Sequence, residues 1–299
     1  MDKINVLTRT NNNKYIENIK KTFDWKEYIY INSSKFKKEI TDKSSAWLHF
    51  KKIGFELGLN YKCSQNVAIN ENLYRVLIVM PTYNRCNKIQ KIINMLLRQT
   101  FTKWFFLIID DGSDFKNKQI FNKIKCNYNS DKILFFENIN NLGIAKTLNK
   151  GINYLLENAF THFTWISDDN IYLPSFLNTL ICDNTYFRYT SYYVEQDNLL
   201  FINNIHYKND NDIINNWGGC ASFMWTKDAI KKIGYYDETI PFCEDYDYII
   251  RTFKNNYKDC LFLNTPLMKY IYHDMCGSIV NKDKINNLAN IIKNKYNKE

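Results

Sequence analysis

Residues 75–85 read RVLIVMPTYNR, a continuous apolar run that ends abruptly in polar residues. A strand with one exposed face alternates apolar and polar residues, whereas a strand covered on both faces is apolar throughout. Residues 75–80 are therefore predicted to form a strand inside a sheet. The polar residues of PTYNR would then lie just beyond the carboxyl end of that strand.

The same pattern recurs along the chain. The apolar runs at residues 104–109, 132–136 and 162–167 are each predicted to be strands, and segments with helical spacing of apolar residues separate them. This alternation predicts an α/β fold with a mostly parallel sheet flanked by helices on both faces. Ligands of such sheets bind beyond the carboxyl ends of the strands.

Two adjacent carboxylates, Asp168 and Asp169, follow the fourth predicted strand in the stretch FTWISDDNIYLP, residues 163–174. Neighbouring carboxylates repel each other and resist desolvation unless a positive group lies between them. A divalent cation is one such group, because hard ions bind carboxylate oxygens. The alternative is that Asp169 or Asn170 caps a helix that begins at Pro174. Because polar clusters follow three strands and face one crevice, the sequence favours the metal site.

Composition limits the function classes. With 299 residues, 45% of them apolar, the chain has enough material for a large core. Its 8 cysteines include no CxxC pair, which argues against a zinc ribbon. No apolar run approaches the roughly 20 residues of a spanning helix, and the residues after Met1 are polar rather than leader-like. A cytoplasmic protein, at most peripheral to a membrane, is predicted.

Residues 1–70 are predicted to form a separate basic, partly helical extension, with 13 lysines and arginines against 7 acidic residues. Beyond residue 70 no basic stripe appears, so nucleic-acid binding is not predicted. A helix capped by Ser44 or Ser45 would run to about Leu57. It either packs on the main domain or forms a surface for a membrane or partner. Its apolar face would comprise Trp47, Phe50, Ile53 and Leu57.

The second half of the chain has weaker patterns. Strands are predicted at residues 199–205 and 221–225, and a helix at residues 227–233. The adjacent glycines of residues 215–220, NNWGGC, indicate either a tight turn or a close approach to the backbone. The acids of residues 243–247, CEDYD, precede a helix, where negative charge suits the helix dipole.

From Val76 to about Ser278, the chain resembles the family 2 glycosyltransferases, which are inverting enzymes of the GT-A fold. The form of the SDDNIY motif is most similar to the SpsA-type branch. The resemblance implies a catalytic domain at residues 71–299, divided into a nucleotide-binding half, 71–175, and an acceptor-binding half, 176–299. The matching motifs are VLIVMPTYNR, LLRQTF, FFLIIDDGS, NNLGIAKTLNKGI, SDDNIYLP, NWGGCASFMWTKDAIKKIGYYDE and CEDYDYIIR.

The resemblance also implies roles for individual residues. The donor would be a nucleotide-diphosphate sugar, most simply a UDP-sugar, and the acceptor a glycan, protein or lipid. Mn²⁺ or Mg²⁺ would be held by Asp169 and His273, and Asp245 would be the general base of a hexosyltransferase-type reaction. The nucleotide-binding residues would be Thr82, Tyr83, Asp111, Lys146 and Asp168. The sugar or acceptor side would include Trp217, Gly219 and Glu244.

Two positions depart from the family pattern. Ser167 stands where the commoner Asp-x-Asp metal motif has its first Asp, and Leu148 stands where many members carry Arg before Asn149. The first departure reduces the number of protein ligands to the metal, and the second leaves phosphate neutralisation to Lys146 or the metal. The alternative function is a degenerate GT-A module that binds nucleotide-sugar, glycan or a partner without turnover.

Overall fold

Continuous apolar runs become buried strands in the structure. The coordinates, a computed structural model, describe residues 25, 28, 40, 42–50, 71–128, 130–181, 185–196, 199–204, 206–219, 222–272 and 280–298. The strands are β1 Val76–Thr82, β2 Trp104–Asp110, β3 Ile133–Glu137, β4 His162–Trp165, β5 Ile171–Tyr172, β6 Phe187–Thr190, β7 Tyr192–Gln196, β8 Leu199–Asn203, β9 Phe223–Thr226, β10 Cys260–Leu263 and β11 Met268–Ile271.

Helices connect most of these strands. They are α1 Lys43–His49, α2 Ile89–Leu96, α3 Phe115–Tyr128, α4 Ile144–Glu157, α5 Phe176–Leu180, α6 Asp210–Asn215, α7 Lys227–Ile233, α8 Glu244–Asn256 and α9 Lys282–Asn297. Short 3₁₀ turns lie at Glu71–Leu73, Cys86–Lys88 and Tyr257–Asp259. Within the described ranges, no helix combines the length and the apolar character needed to cross a bilayer.

The central sheet has 7 strands in the order β10-β6-β9-β4-β1-β2-β3. β1 runs parallel to both β2 and β4, and β2 runs parallel to β3. β9 lies antiparallel between β4 and β6, so strands from both predicted halves of the chain share one sheet. The predicted mostly parallel α/β architecture is confirmed. A second sheet of 4 strands, β5-β11-β7-β8, was not predicted.

Alternate residues of β1 pack on opposite faces of the sheet, which explains the continuous apolar run at residues 76–80. Leu77 and Val79 belong to a core cluster with α4, α7, α8 and α9 on one face of the sheet. Ile78 and Met80 belong to a second cluster with α2, α3 and α5 on the other face. All four side chains are fully buried. Each such burial contributes about 1.5–3 kcal/mol, so β1 is stabilised from both faces of the sheet.

The helix α4 packs unusually close to β1. A Cβ atom placed on Gly151 would lie 2.7 Å from a Cγ atom of Val79, closer than packed side chains allow. Gly151 therefore allows the middle of α4 to lie directly against β1.

The last helix, α9, is attached to α8 through one carboxylate. Asp247 is completely buried and accepts a hydrogen bond of 2.6 Å from the Tyr296 hydroxyl. Its oxygens also lie 2.8 Å from Arg251 Nε and 3.5 Å from Lys295 Nζ. A buried charge of this kind is tolerated because it is paired and hydrogen-bonded.

The predicted helix of the basic extension is present as α1, but its cap differs from the expectation. Asp42, not a serine, is the N-cap, and its carboxylate accepts hydrogen bonds from the Ser45 N–H and hydroxyl at 2.9 and 2.6 Å. Trp47 and Phe50 are buried as predicted, with their rings stacked 5.6 Å apart. Positions Ile53 and Leu57 lie outside the described residues.

Candidate active site

The carboxyl ends of β1, β2 and β4 meet at one edge of the central sheet. Thr82 of β1 is paired with Asp110 of β2, and Val79 of β1 with Trp165 of β4. The Asp111 N–H donates to the Thr82 carbonyl at 2.8 Å, which joins the segments after β1 and β2. The three polar clusters predicted to converge are therefore neighbours.

Tyr83 is held at the rim of this edge. The next residue, Asn84, has a left-handed backbone with φ of 54°, a conformation that Asn adopts more readily than most residues. Its N–H donates to Ser113 Oγ and its side-chain oxygen accepts from the Asp114 N–H, both at 2.8 Å. This double attachment fixes the turn while the Tyr83 side chain stays 48% exposed. An exposed aromatic ring on a fixed turn is suited to stacking on a planar group.

Asp168 is buried beside Thr82. Its Oδ2 lies 3.4 Å from the Thr82 hydroxyl, which donates to it, and its Oδ1 lies 3.1 Å from Arg85 Nη2. Desolvation raises the pKa of Asp168 to about 6, the Arg85 charge opposes that rise, and the adjacent Asp169 adds to it. The negative charge of Asp168 therefore needs stabilisation by neighbouring groups in the site.

Asp169 is oriented by the residue that departs from the family pattern. The Ser167 hydroxyl donates to Asp169 Oδ1 at 2.5 Å, and Ser167 N–H donates to the Tyr172 hydroxyl at 2.8 Å. Asp169 Oδ2 lies 3.1 Å from Arg85 Nη2. A hydroxyl at position 167 thus positions the carboxylate instead of supplying a further acid.

The capping alternative for Asp169 and Asn170 is excluded. The helix α5 begins at Phe176, and Ser175 occupies its N-cap position. The short strand β5, Ile171–Tyr172, separates the acid pair from that helix. The paired acids therefore serve the sheet edge and not a helix terminus.

Arg85 is a site residue to which the sequence analysis gave no role. It lies at the end of PTYNR and contacts both acids through one nitrogen. The sequence did contain a signal for Arg85. A cation directly after the end of β1 would face the acids that follow the neighbouring strand β4.

The described residues supply two carboxylates for a divalent cation. No cluster of three or more His, Cys, Asp or Glu side chains that could hold a metal occurs among them. His273, the other expected ligand, lies outside the described residues. Mg²⁺ is commonly bound by one or two protein carboxylates together with substrate phosphates. Asp168 and Asp169 fit such a site, in which the substrate completes the coordination.

Asp111 stabilises the turn between β3 and α4. The side chain is 4% exposed. Its Oδ1 accepts from Asn138 Nδ2 at 2.7 Å and from the Leu142 N–H at 3.0 Å, and its Oδ2 accepts from the Gly143 N–H at 2.9 Å. Asp111 therefore anchors the turn that leads into α4, a structural function that the sequence did not reveal.

Replacing Asp111 by Asn should destabilise the protein by about 1–3 kcal/mol, because the new amide would present N–H groups to backbone N–H donors in a buried site. The free energy of unfolding from urea titration measures this effect. Asp131→Asn, at an exposed position in the turn before β3, is the matched control. Equal stability of the two variants would contradict the anchoring function of Asp111.

Lys146 and Asn149 both lie on α4. Lys146 Nζ is 4.0 Å from Glu238 Oε2, and both side chains are about half exposed. Such surface pairs contribute little, so Lys146 can exchange Glu238 for another anion at small cost. Asn149 instead has a fixed structural contact, since its amide donates to the Tyr236 carbonyl at 3.0 Å and accepts from the Tyr236 N–H at 2.8 Å.

Glu244 and Asp245 form the first turn of α8. Glu244 is 6% exposed, and among the described residues its Oε2 has no hydrogen-bond partner. Asp245 is half-buried and accepts from the Tyr246 N–H at 2.7 Å. Desolvation raises the pKa of both carboxyls, and the neighbouring Asp245 charge raises that of Glu244 further. A carboxyl pair with raised pKa values can accept and release protons near neutral pH.

Trp217 lies beside this acidic turn. Its ring stacks 5.0 Å from Tyr246 and 6.0 Å from Tyr207. Gly219 has φ of 92°, and a Cβ atom there would lie 3.1 Å from the Tyr192 hydroxyl. The turn thus requires glycine for its backbone, and the close neighbour is a side chain of the second sheet.

The comparisons with known proteins agree with this geometry. Residues 77–183 match the model of a family described as glycosyl transferase family 2. An uncharacterized glycosyltransferase of Rickettsia conorii is 28% identical over 227 residues, which cover 69% of this chain and 36% of that protein. The chain therefore spans little more than a third of the length of this relative.

Many solved structures resemble the chain, among them two with a bound nucleotide or nucleotide sugar. The S. aureus TarS 1–349 complex with UDP has a TM-score of 0.52 and 14% identity, and the match covers 73% of this chain and 65% of that one. The fold is GT-A. The mannosyltransferase PcManGT from Pyrobaculum calidifontis, in complex with GDP-Man and Mn²⁺, has a TM-score of 0.55 and 10% identity. The match covers 84% of this chain and 71% of that one. At these identities the likeness concerns the fold alone.

Proposed function

We propose that this GT-A chain is an inverting glycosyltransferase of the family 2 type that moves a sugar from a nucleotide-diphosphate donor to an acceptor hydroxyl. The observation that carries the proposal is the presence of two pairs of acidic residues. Asp168 and Asp169 lie at the strand edge where such sheets bind ligands. Glu244 and Asp245 form a second carboxyl pair whose pKa values are raised.

The donor nucleotide would bind along the edge formed by β1 and β2. The exposed Tyr83 ring would stack on the nucleobase, and Thr82 and Asp168 would lie beneath the ribose and diphosphate. Asp111 would contact the base edge while keeping its own turn closed. We propose a UDP-sugar, in line with the SpsA-type form of the SDDN motif and the UDP bound by TarS.

Asp169 would be the direct ligand of Mn²⁺ or Mg²⁺, with Asp168 as its neighbour and His273 as a further ligand. A divalent cation supplies Lewis-acid neutralisation of the charge on the departing diphosphate. The Ser167 hydroxyl would keep the Asp169 carboxylate in one orientation. Lys146, whose partner Glu238 is half exposed, would take part of the phosphate charge.

Asp245 would act as the general base for the acceptor hydroxyl. Its raised pKa places its proton affinity closer to neutral pH, where a carboxylate is a more effective base. Direct displacement from the face opposite the nucleotide inverts the anomeric carbon. Glu244, Trp217 and Gly219 would form the adjoining sugar or acceptor side. The acceptor would be a glycan, protein or lipid, the last reached by peripheral contact of the basic residues 1–70.

The alternative is a GT-A module that binds without turnover. Ser167 in place of an acid and Leu148 in place of Arg favour it, as does the pairing of both site acids with Arg85. Release of free UDP from UDP-sugars in the presence of Mn²⁺ separates the two functions, because a binding module would release none.

A thermal-shift screen of nucleotide diphosphates and nucleotide sugars tests the donor proposal. A nucleotide at 100 times its Kd stabilises the folded state by about 2.7 kcal/mol, which raises Tm by several degrees in a chain of this size. We expect uridine diphosphates with Mn²⁺ to give the largest shift. A screen in which no nucleotide raises Tm would contradict the proposal, with nucleosides lacking phosphate as the control.

A further inference from the structure

Phe242 has a backbone conformation that a bulky side chain disfavours. Its φ is 66°, in the left-handed region that glycine adopts freely and that large residues rarely adopt. Among the non-glycine residues that the structure describes, only Asn84 shares a positive φ, and asparagine tolerates it better. Backbone strain of this kind persists where the surrounding structure holds it, and it is concentrated at functional sites.

The segment between α7 and α8 holds Phe242 from both sides. Before it, the Asp237 carboxylate accepts from the Thr239 N–H and hydroxyl at 2.9 and 2.6 Å. After it, the Cys243 thiol donates to the Ile285 carbonyl of α9 at 3.5 Å. The backbone of Phe242 is therefore fixed relative to the amino end of α8.

The Phe242 ring is exposed as well as strained. Its exposed fraction is 42%, although an aromatic ring gains stability from burial. A glycine or an asparagine at this position would avoid both the strained backbone and the exposed ring. The ring is therefore open to contact with a molecule outside the chain.

The position of Phe242 relates it to the proposed base. It lies two residues before Glu244 and three before Asp245, which begin α8. Because consecutive Cα atoms are 3.8 Å apart, the Cα atoms of Phe242 and Asp245 lie within about 12 Å of each other. An acceptor whose hydroxyl contacts Asp245 would reach Phe242 with the same chemical group or with the next one along.

The surroundings of the ring are polar. The Lys284 ammonium of α9 lies 5.8 Å from the ring centroid, and Glu238 and Thr239 are exposed residues of the preceding segment. In the first turn of α8, the buried Glu244 Oε2 has no hydrogen-bond partner among the described residues. A pyranose ring has apolar C–H faces bordered by hydroxyls, which bind such donors and acceptors. A lipid chain or an apolar peptide would instead need a continuous apolar surface.

We propose that Phe242 is an acceptor-binding residue that stacks on the C–H face of a sugar, so that the acceptor of this chain is a carbohydrate. Lys284 and Glu244 would bind hydroxyls of that acceptor, and Asp245 would face the attacking hydroxyl. This inference rests on the proposed transferase function and narrows its acceptor to a glycan. The strained turn then has a function, because it presents an aromatic ring next to the proposed base.

Saturation-transfer NMR with free oligosaccharides tests the proposal. The probes are short oligomers of glucose, N-acetylglucosamine, mannose and galactose, titrated into the chain with UDP and Mn²⁺ present. We expect at least one of them to bind the wild type, and Phe242→Gly to weaken that binding about tenfold, as the loss of one stacked ring would. Phe242→Trp, which keeps an aromatic ring, should bind within about threefold of the wild type.

The stability of the variants separates binding from folding. Glycine adopts this φ without strain, and that relief offsets the greater freedom of glycine in the unfolded chain. The Tm of Phe242→Gly should therefore stay within about 4 °C of the wild type. Phe242→Asn, whose side chain also tolerates this backbone, should show the same loss of binding.

Tyr257→Ala is the matched control. Tyr257 directly follows α8 and is 45% exposed. It lies about 20 Å from the acidic turn, because α8 has 13 residues. This variant removes an exposed aromatic ring from the other end of the same helix, and it should bind the oligosaccharides as the wild type does.

Three results would overturn the proposal: unchanged oligosaccharide binding by Phe242→Gly, equal weakening in Tyr257→Ala, and a wild type that binds none of the probes. Binding to phosphatidylglycerol vesicles that depends on Phe242, with no sugar bound, would assign the ring to a lipid and overturn it too. Release of UDP from UDP-sugars tests the transferase function separately, since that reaction needs no acceptor. A chain that releases UDP but binds no oligosaccharide would refute the carbohydrate acceptor alone.

Discussion

Replacing Asp245 by Asn is expected to lower the rate of sugar transfer about 10²–10⁴-fold, the usual contribution of a positioned general base. Donor binding and folding should be retained. Asn keeps the oxygen that accepts from the Tyr246 N–H at 2.7 Å, and the donor nucleotide would bind through the other acid pair. Steady-state transfer kinetics, together with calorimetric donor binding, measure the two effects separately.

Two further variants test whether the loss of transfer is specific to Asp245. Asp228→Asn removes an exposed acid from the first turn of α7, where it pairs with Lys231 at 3.2 Å, and it should transfer sugar at the wild-type rate. Glu244→Gln tests the other member of the pair. A loss confined to Glu244→Gln would assign the base to Glu244, and wild-type turnover by Asp245→Asn would refute the present assignment.

The pH profile gives an independent signature. Burial raises the pKa of Asp245 above its ordinary value of 3.8. A base works only when deprotonated, so kcat/KM should fall as pH falls through this raised pKa. The acid limb should therefore lie at higher pH than an exposed Asp would give, and it should be absent from the residual activity of Asp245→Asn.

Chelation of divalent ions is expected to abolish donor binding. EDTA would leave Arg85 alone to offset the charges of Asp168, Asp169 and the diphosphate, and like charges that close repel each other. Added Mn²⁺ should restore binding in the wild type. In Asp169→Asn, donor affinity at fixed Mn²⁺ should fall by roughly 10- to 100-fold or more, the loss typical of a damaged metal site.

Calorimetry with a nucleotide-sugar donor measures both results. The exposed variant Asp131→Asn should bind donor as the wild type does. Donor binding that is unchanged in EDTA would contradict the metal function of the acid pair, even if the nucleotide site itself were correct.

The architecture could be predicted from the sequence where burial produces a simple pattern of apolar residues. Residues 76–80 of β1 are apolar and buried, so the place of this strand inside the sheet followed from the sequence, but the strand continues to Thr82, two residues beyond its predicted end. The polar ends of β1, β2 and β4 could be placed together because parallel strands share a carboxyl edge. Asp168 and Asp169 were identified as site residues by that reasoning before any contact was known.

The remainder depends on contacts between distant segments. The strands β5 and β6 have two and four residues, too few for a period to emerge. The partners of Asp111 lie about 30 positions later in the chain, so its anchoring function has no local signature. The function of Arg85 likewise depends on acids that lie more than 80 residues later in the chain.

The buried carboxylate of Asp247 has a consequence for the orientation of the proposed base. Asp245 and Asp247 are two positions apart on α8, about 200° around the helix axis. The bonds from Tyr296 and Lys295 fix one side of α8 and prevent it from rolling. The direction in which Asp245 points is thus set by α9, a helix some fifty residues further along the chain, because α9 prevents rotation of α8 about its axis.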